Sequence, residues 1–222
     1  PMKTLECRGI TLSDKQTKIC VPITGTDLEE IKEQAEKIAN MNPDVVEWRA
    51  DFYDVKDNDE TEFEQCLKAI NDNLKKIPII YTYRTSNEGG EKSIDVDDYC
   101  RLCKYVSEIS EKYNVAMIDV ELYENKDQKD IGKLLLDIKS TGVKVIGSNH
   151  HFEGTPSEKD IFNVLKTMEE AGADICKIAV MPKEKVDVKT LINASKKANK
   201  ELNAPIITMS MGELGAVTRI CT

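Results

Sequence analysis

Lys177 is the residue from which a chemistry can be read. It sits in Ile175-Cys-Lys-Ile-Ala-Val180, in the middle of an apolar, β-branched run. Burial disfavours an ammonium and so favours the neutral amine, a nucleophile toward carbonyl carbon. A lysine on an edge strand, or one that reaches its head out to water, would look the same in isolation. The histidines weigh against that blander account. The chain has only 2, adjacent in Ser148-Asn-His-His-Phe152 at the end of another apolar run. An imidazole can take and give a proton near neutral pH. Neighbours on a strand point to opposite faces, so His150 and His151 are poorly placed to share one metal. Imine formation at Lys177 with proton transfer at His150 is the chemistry these two residues could perform on one carbonyl compound.

Other polar residues fall at the right places to hold such a compound. Glu47 and Arg49 are two apart, the spacing that puts both on one face of a strand. Arg84 ends a run, and Glu88 opens the turn Glu88-Gly-Gly-Glu91. Taken singly these are a solvated arginine and a turn acid. Arg219 could pair with a substrate carboxylate. Asp119 and Glu121 share a face and read equally well as structural ion-pair partners.

The elements that would carry these residues are seven short runs: 18–23, 45–51, 77–84, 117–122, 144–150, 175–180 and 205–211. Between them lie patterns of helical period, such as Leu28, Ile31, Ala35 and Ile38. Such alternation predicts βαβ units and a parallel sheet. Thr26-Asp-Leu-Glu29 and Thr155-Pro-Ser-Glu158 read as capping boxes. The turn Thr24-Gly-Thr26 is too poor in glycine for a dinucleotide fold. Polar residues spread over several strand ends suit a barrel instead. No linker or composition break divides the chain, so residues 1–222 read as one domain, and residues 3–17 as a hairpin covering one end of it.

Bulk properties exclude several classes. A net charge of −9 disfavours nucleic acid and anionic membranes as partners. No apolar run approaches the roughly 20 residues of a bilayer-spanning helix, and Pro1-Met2-Lys3 opens no secretory signal. Seven cysteines, an odd number set mostly in apolar patterns, read as reduced thiols of a cytoplasmic protein. Cys100 and Cys103 form a C-x-x-C inside a helical pattern with no second pair nearby in sequence, so core filling is expected there rather than zinc.

With these motifs in view the sequence resembles the type I 3-dehydroquinate dehydratases. The resemblance is carried by Glu-Trp-Arg-x-Asp-Phe (47–52), Tyr-Arg-Thr-Ser-x-Glu-Gly-Gly-Glu (83–91), Ile-Asp-Val-Glu-Leu (118–122), Ser-Asn-His-x-Phe-x-x-Thr-Pro (148–156), Gly-Ala-Asp-Ile-x-Lys-Ile-Ala-Val-Met-Pro (172–182) and Ile-Ile-Thr-Met-Ser-Met-Gly (206–212). It implies a (β/α)8 barrel, a homodimer, no metal or cofactor, and conversion of 3-dehydroquinate to 3-dehydroshikimate and water in the shikimate pathway. It also implies that Lys177 forms the imine, that His150 moves protons, and that Glu88 orients His150 and favours its charged form. Glu47, Arg49 and Arg84 would contact substrate hydroxyls, Arg219 the carboxylate, and Met209 and Met211 the apolar walls.

The match departs from the family at two places. The family usually has aspartate where His151 stands. Seven strands are counted where a closed barrel needs eight, so the eighth strand, the last helix and a closing loop are expected to be missing, and turnover to be poor. Two other readings compete. One is another Schiff-base barrel such as a class I aldolase, although Gly212-Glu-Leu-Gly215 would make a poor phosphate nest. The other is an inactive paralogue.

Overall fold

The structure, a computed structural model, describes residues 3–13, 18–122, 131–212 and, for the backbone alone, 219–221. The chain opens on an antiparallel hairpin, β1 (Thr4–Cys7) and β2 (Ile10–Ser13). Its two turn residues, Arg8 and Gly9, both have positive φ (38° and 85°). A two-residue turn of this hand matches the twist of the strands it joins.

Seven parallel strands follow in chain order: β3 (Cys20–Ile23), β4 (Val45–Arg49), β5 (Ile79–Thr82), β6 (Val115–Val120), β7 (Lys144–His151), β8 (Ile175–Val180) and β9 (Ile206–Ser210). They are joined by α1 (Leu28–Met41), α2 (Glu60–Asn73), α3 (Val96–Glu108) with the short α4 (Ser110–Tyr113), α5 (Ile131–Lys139), α6 (Glu158–Ala171) and α7 (Lys185–Glu201). The expected βα alternation and all seven expected strands are present.

One strand was not foreseen. β10 (Arg219–Cys221) runs antiparallel to β9, with Arg219 opposite Met209. The reason is connection length. Only residues 211–218 separate β9 from β10, and a parallel return needs a crossover of about a dozen residues or more. The sheet is a curled, open barrel with β3 and β10 at its two ends.

Alternation along each strand divides its residues between two cores. Outward residues such as Trp48, Tyr81, Ile118 and Cys176 pack under the helices. Trp48 meets Phe63 and Tyr81 edge-on, at 5.4 and 5.7 Å between ring centroids. Cys103 joins this core from α3, fully buried, as expected of a core-filling thiol. Inward residues at the lower ends of the strands, Val45, Ile80, Met117, Ile146 and Ile175, cluster with Cys7 and Ile10 of the hairpin. The hairpin therefore closes the base of the barrel, as expected. Arg8 ties it there by donating to Ser110 Oγ (2.9 Å) and the Thr141 carbonyl (3.0 Å).

Both expected capping boxes are displaced. Asp27, not Thr26, caps α1 and accepts from the Glu30 N–H, while Glu30 reaches back to Thr26. Ser157, not Thr155, caps α6 and accepts from the Asp160 N–H. In each case a better-placed oxygen lies nearer the helix than the threonine. The Thr155 hydroxyl donates instead to the Met181 carbonyl.

Candidate active site

Above the apolar base, the inward positions become polar. β4 contributes Glu47 and Arg49, β5 Thr82 and then Arg84, β6 Asp119 and then Glu121, β7 Ser148 and His150, and β8 Lys177. These positions lie toward the C-terminal ends of the strands, where barrel enzymes carry their chemistry.

Lys177 pairs in register with Ser148, two residues below His150 on the neighbouring strand. Its Nζ lies 3.0 Å from Asp119 Oδ2. Asp119 also accepts from Arg84 (2.9 and 3.2 Å) and from the Ser148 hydroxyl (2.5 Å). Burial opposes ionisation of Asp119, but Arg84 and Lys177 outweigh it and hold the carboxyl well below the usual range. Arg84 is itself buried and gives further bonds to Glu121 (2.9 Å) and Ser148 (3.1 Å). Glu121 is fixed in turn by the Thr85 N–H and hydroxyl. Asp119 and Glu121 are therefore ion-pair partners, as one reading of their spacing allowed. One of them also reaches the candidate nucleophile, which the spacing did not reveal.

Glu88 stands on a short 3-10 turn, Ser86–Glu88, and is almost wholly buried. Its Oε1 accepts from the His150 backbone N–H (2.8 Å) and lies 3.3 Å from His150 Nδ1. The two glycines that follow are required. Gly89 has φ +86°, and a Cβ there would run into the Phe152 ring. A Cβ on Gly90 would run into the Arg84 carbonyl. Phe152 lies over His150 at 6.3 Å with the rings nearly parallel.

The protonation pattern differs from the one the resemblance implied. Burial, helped by Arg84 and Lys177, pushes the His150 imidazole down to about 2, so it stands neutral. Burial, with Glu121 adding repulsion, pushes Glu88 up to about 8. Glu88 thus holds His150 in place without making it charged: burial and the Arg84, Lys177 and Arg49 cations outweigh the Asp119 carboxylate at the imidazole.

The remaining expected residues are placed unevenly. Glu47 accepts from the Thr82 hydroxyl (2.8 Å). Arg49 forms a forked pair with Asp51 (2.9 and 2.8 Å). Met209 and Met211 are half-buried at the end of β9. The Arg219 side chain lies outside the described residues, as does most of Gly212-Glu-Leu-Gly215. A cavity of about 600 Å³ opens over His150, His151 and Phe152, with Asn87, Thr155 and Pro156 on its rim. Sequence reasoning missed Asp51, which is fully buried and accepts from the Arg84 and Glu91 backbone N–H groups besides Arg49. It stood at the end of the run 45–51 and within the motif 47–52, but neither signal gave it a role of its own.

A curled parallel sheet whose interior turns from apolar to polar at the C-terminal strand ends defines a βα-barrel enzyme. The family model described as Type I 3-dehydroquinase matches residues 19–222, and this chain belongs to that family. The 3-dehydroquinate dehydratase of Listeria monocytogenes serotype 4a (strain HCC23) is 38% identical over 220 residues, which cover 99% of this chain and 84% of the relative. That of Bacillus licheniformis is 41% identical over 221 residues, covering 98% and 84%. The solved type I 3-dehydroquinate dehydratase from Clostridium difficile is similar at a TM-score of 0.91 and 35% identity, over 100% of this chain and 86% of that one.

Proposed function

We propose that this chain, a hydro-lyase of the type I family, converts 3-dehydroquinate to 3-dehydroshikimate and water through an imine on Lys177. The observation that carries the reading is the pairing of two groups. A lysine amine sits against a buried carboxylate, and a neutral imidazole stands two residues away on the adjacent strand.

In this reading Lys177 Nζ adds to the substrate ketone, and loss of water leaves a protonated C=N bond. That cation withdraws electrons and acidifies the neighbouring C–H. His150 takes the proton. The electron pair moves into the C=C–N system and then expels the β-hydroxyl, which leaves as water with the proton returned by His150. A second water hydrolyses the imine, freeing product and amine. The protonated imine is the electron sink, so the steps call for no cofactor and no metal. Asp119 supplies a fixed negative charge beside the nitrogen throughout. Glu47, Arg49 and Arg84 would hold hydroxyls, Arg219 the carboxylate, and Met209 and Met211 the apolar side of the ring. The family match favours this reading over a sugar-phosphate aldolase. A single domain, a homodimer and a cytoplasmic location belong to the same proposal.

The test is intact-mass spectrometry after incubation with 3-dehydroquinate and borohydride, which reduces an imine to a stable amine. A gain of the substrate-derived mass in the parent chain, absent in Lys177→Ala, is the expected result. An equal gain in Lys177→Ala would place the imine on another residue.

A further inference from the structure

We infer that Thr82 is a positioning residue for substrate recognition: its hydroxyl aims the Glu47 carboxylate into the barrel as the acceptor for a substrate hydroxyl. The inference rests on the substrate-holding role proposed above for Glu47.

Thr82 closes β5, with Arg49 as its neighbour in register on one side and Asp119 on the other. Strand alternation sends Tyr81 outward under the helices, and Ile80 and Thr82 inward. Thr82 is fully buried. A hydroxyl has one hydrogen to give, and this one goes to Glu47 Oε2 at 2.8 Å.

Glu47 differs from the other carboxyl groups around the site. Asp51, Glu88, Asp119 and Glu121 are each reached by more than one donor. Among the described residues a single donor reaches Glu47, the Thr82 hydroxyl, and it occupies one of the two oxygens. Glu47 is also only half-buried. A carboxylate accepts and does not donate, so the group that complements Oε1 is a donor such as a ring hydroxyl.

The two side chains differ in stiffness. A glutamate turns about several bonds, whereas the branched Cβ of a buried threonine holds its hydroxyl at one place. The threonine is therefore the fixed point and the glutamate the part that is aimed. Without the donor, the carboxylate gains other rotamers. Some of these turn it toward the Arg49 guanidinium, two residues along the same strand face, and away from the substrate. Thr82 acts on recognition through Glu47 and takes no part in proton transfer or imine formation.

Steady-state turnover of 3-dehydroquinate by the full chain tests this. Thr82→Val keeps the shape and removes the donor, and Thr82→Ser keeps the donor. Thr82→Val is expected to raise KM about tenfold with kcat within about twofold, and Thr82→Ser to stay within about threefold of the parent in both. Added to Glu47→Ala, Thr82→Val is expected to change KM by less than about twofold, because the hydroxyl then has no carboxylate to aim. Borohydride trapping at saturating substrate reports the fraction of each variant that is folded and competent. Should Thr82→Val not fold, Thr82→Ala, smaller and equally without a donor, is measured against the same outcomes. A parent-like KM in the variant without the donor overturns the inference and leaves the role of Glu47 standing. Equal rises in Thr82→Val and Thr82→Ser also overturn it, since packing and not the donor would then matter. A rise that persists undiminished on the Glu47→Ala background overturns it, because Thr82 would then act by another route. A parent-like KM in Glu47→Ala overturns the role of Glu47 and the inference with it.

Discussion

Asp119 and Lys177 face each other across two strand positions of the barrel interior, with Oδ2 and Nζ 3.0 Å apart. The carboxylate is fully buried, and it also binds Arg84 and Ser148. Removing one partner from a buried ionic cluster leaves charge uncompensated. Asp119→Asn is therefore expected to lose about 3 kcal/mol of stability in urea unfolding. It is also expected to give less borohydride-trapped adduct, because the iminium loses its counter-charge. Parent-like trapping and stability would mean that Arg84 and Lys177 find other partners.

Two groups at the site shape the pH dependence of stability. Glu88 is held near 8, against about 4.3 for an unfolded glutamate. Its contribution is fully present below the unfolded value and is lost as pH rises toward 8, since the folded state keeps the proton longer. His150 is held near 2, against about 6.5 unfolded. Its contribution is present above the unfolded value and is lost as pH falls below it. Denaturant midpoints measured from pH 5 to 9 should decline on the alkaline side in the parent. Glu88→Gln should remove most of that decline. A decline unchanged in Glu88→Gln would show that some other group causes it.

Asp51 pins the loop that carries Glu88. It accepts from the Arg84 N–H (3.2 Å) and the Glu91 N–H (3.1 Å), and it holds Arg49 in a fork. Asp51→Ala strands these buried donors at a cost of about 1–3 kcal/mol each at most. The melting temperature should fall and KM should rise, because Arg49 loses its orientation. Unchanged KM would separate Arg49 from substrate binding.

Gly90 passes so close to the Arg84 carbonyl that a Cβ has no space. The obstacle is backbone, so no rotamer relieves it. Gly90→Ala should displace Arg84 and with it the Asp119–Glu121 cluster, costing about 2 kcal/mol or more. Thermal unfolding beside a kcat measurement checks this. An alanine variant with parent stability would show that the loop can be rebuilt freely.

Trp48→Ala tests the outer core independently of the site. The indole is fully buried between Phe63 and Tyr81, and its removal should cost about 3–5 kcal/mol. Adduct formation at Lys177 should persist at temperatures where the variant is still folded.

The seven parallel strands, their helices, the basal hairpin, and the positions of Lys177, His150 and Glu88 were legible in the sequence. Each is a local signal: periodicity of 2 or 3.6, a polar residue in an apolar run, a glycine pair after an acid. Motif order then made the family recognisable. Cap positions were read one or two residues off, because several oxygens compete for the same helix N–H groups. What only the tertiary structure decided are relations between distant segments. Asp119 meets Lys177 across 58 residues of chain, and Glu88 meets His150 across 62. Asp51 ties two strands and a loop together. The neutral state of His150 is likewise absent from any local pattern, because it comes from burial and from the distant cations Arg84, Lys177 and Arg49. The antiparallel β10 follows from how far a short connection can reach once β9 is in place. Sequence periodicity assigns a residue to a face, while the curvature of the sheet determines which residues from other strands it meets there.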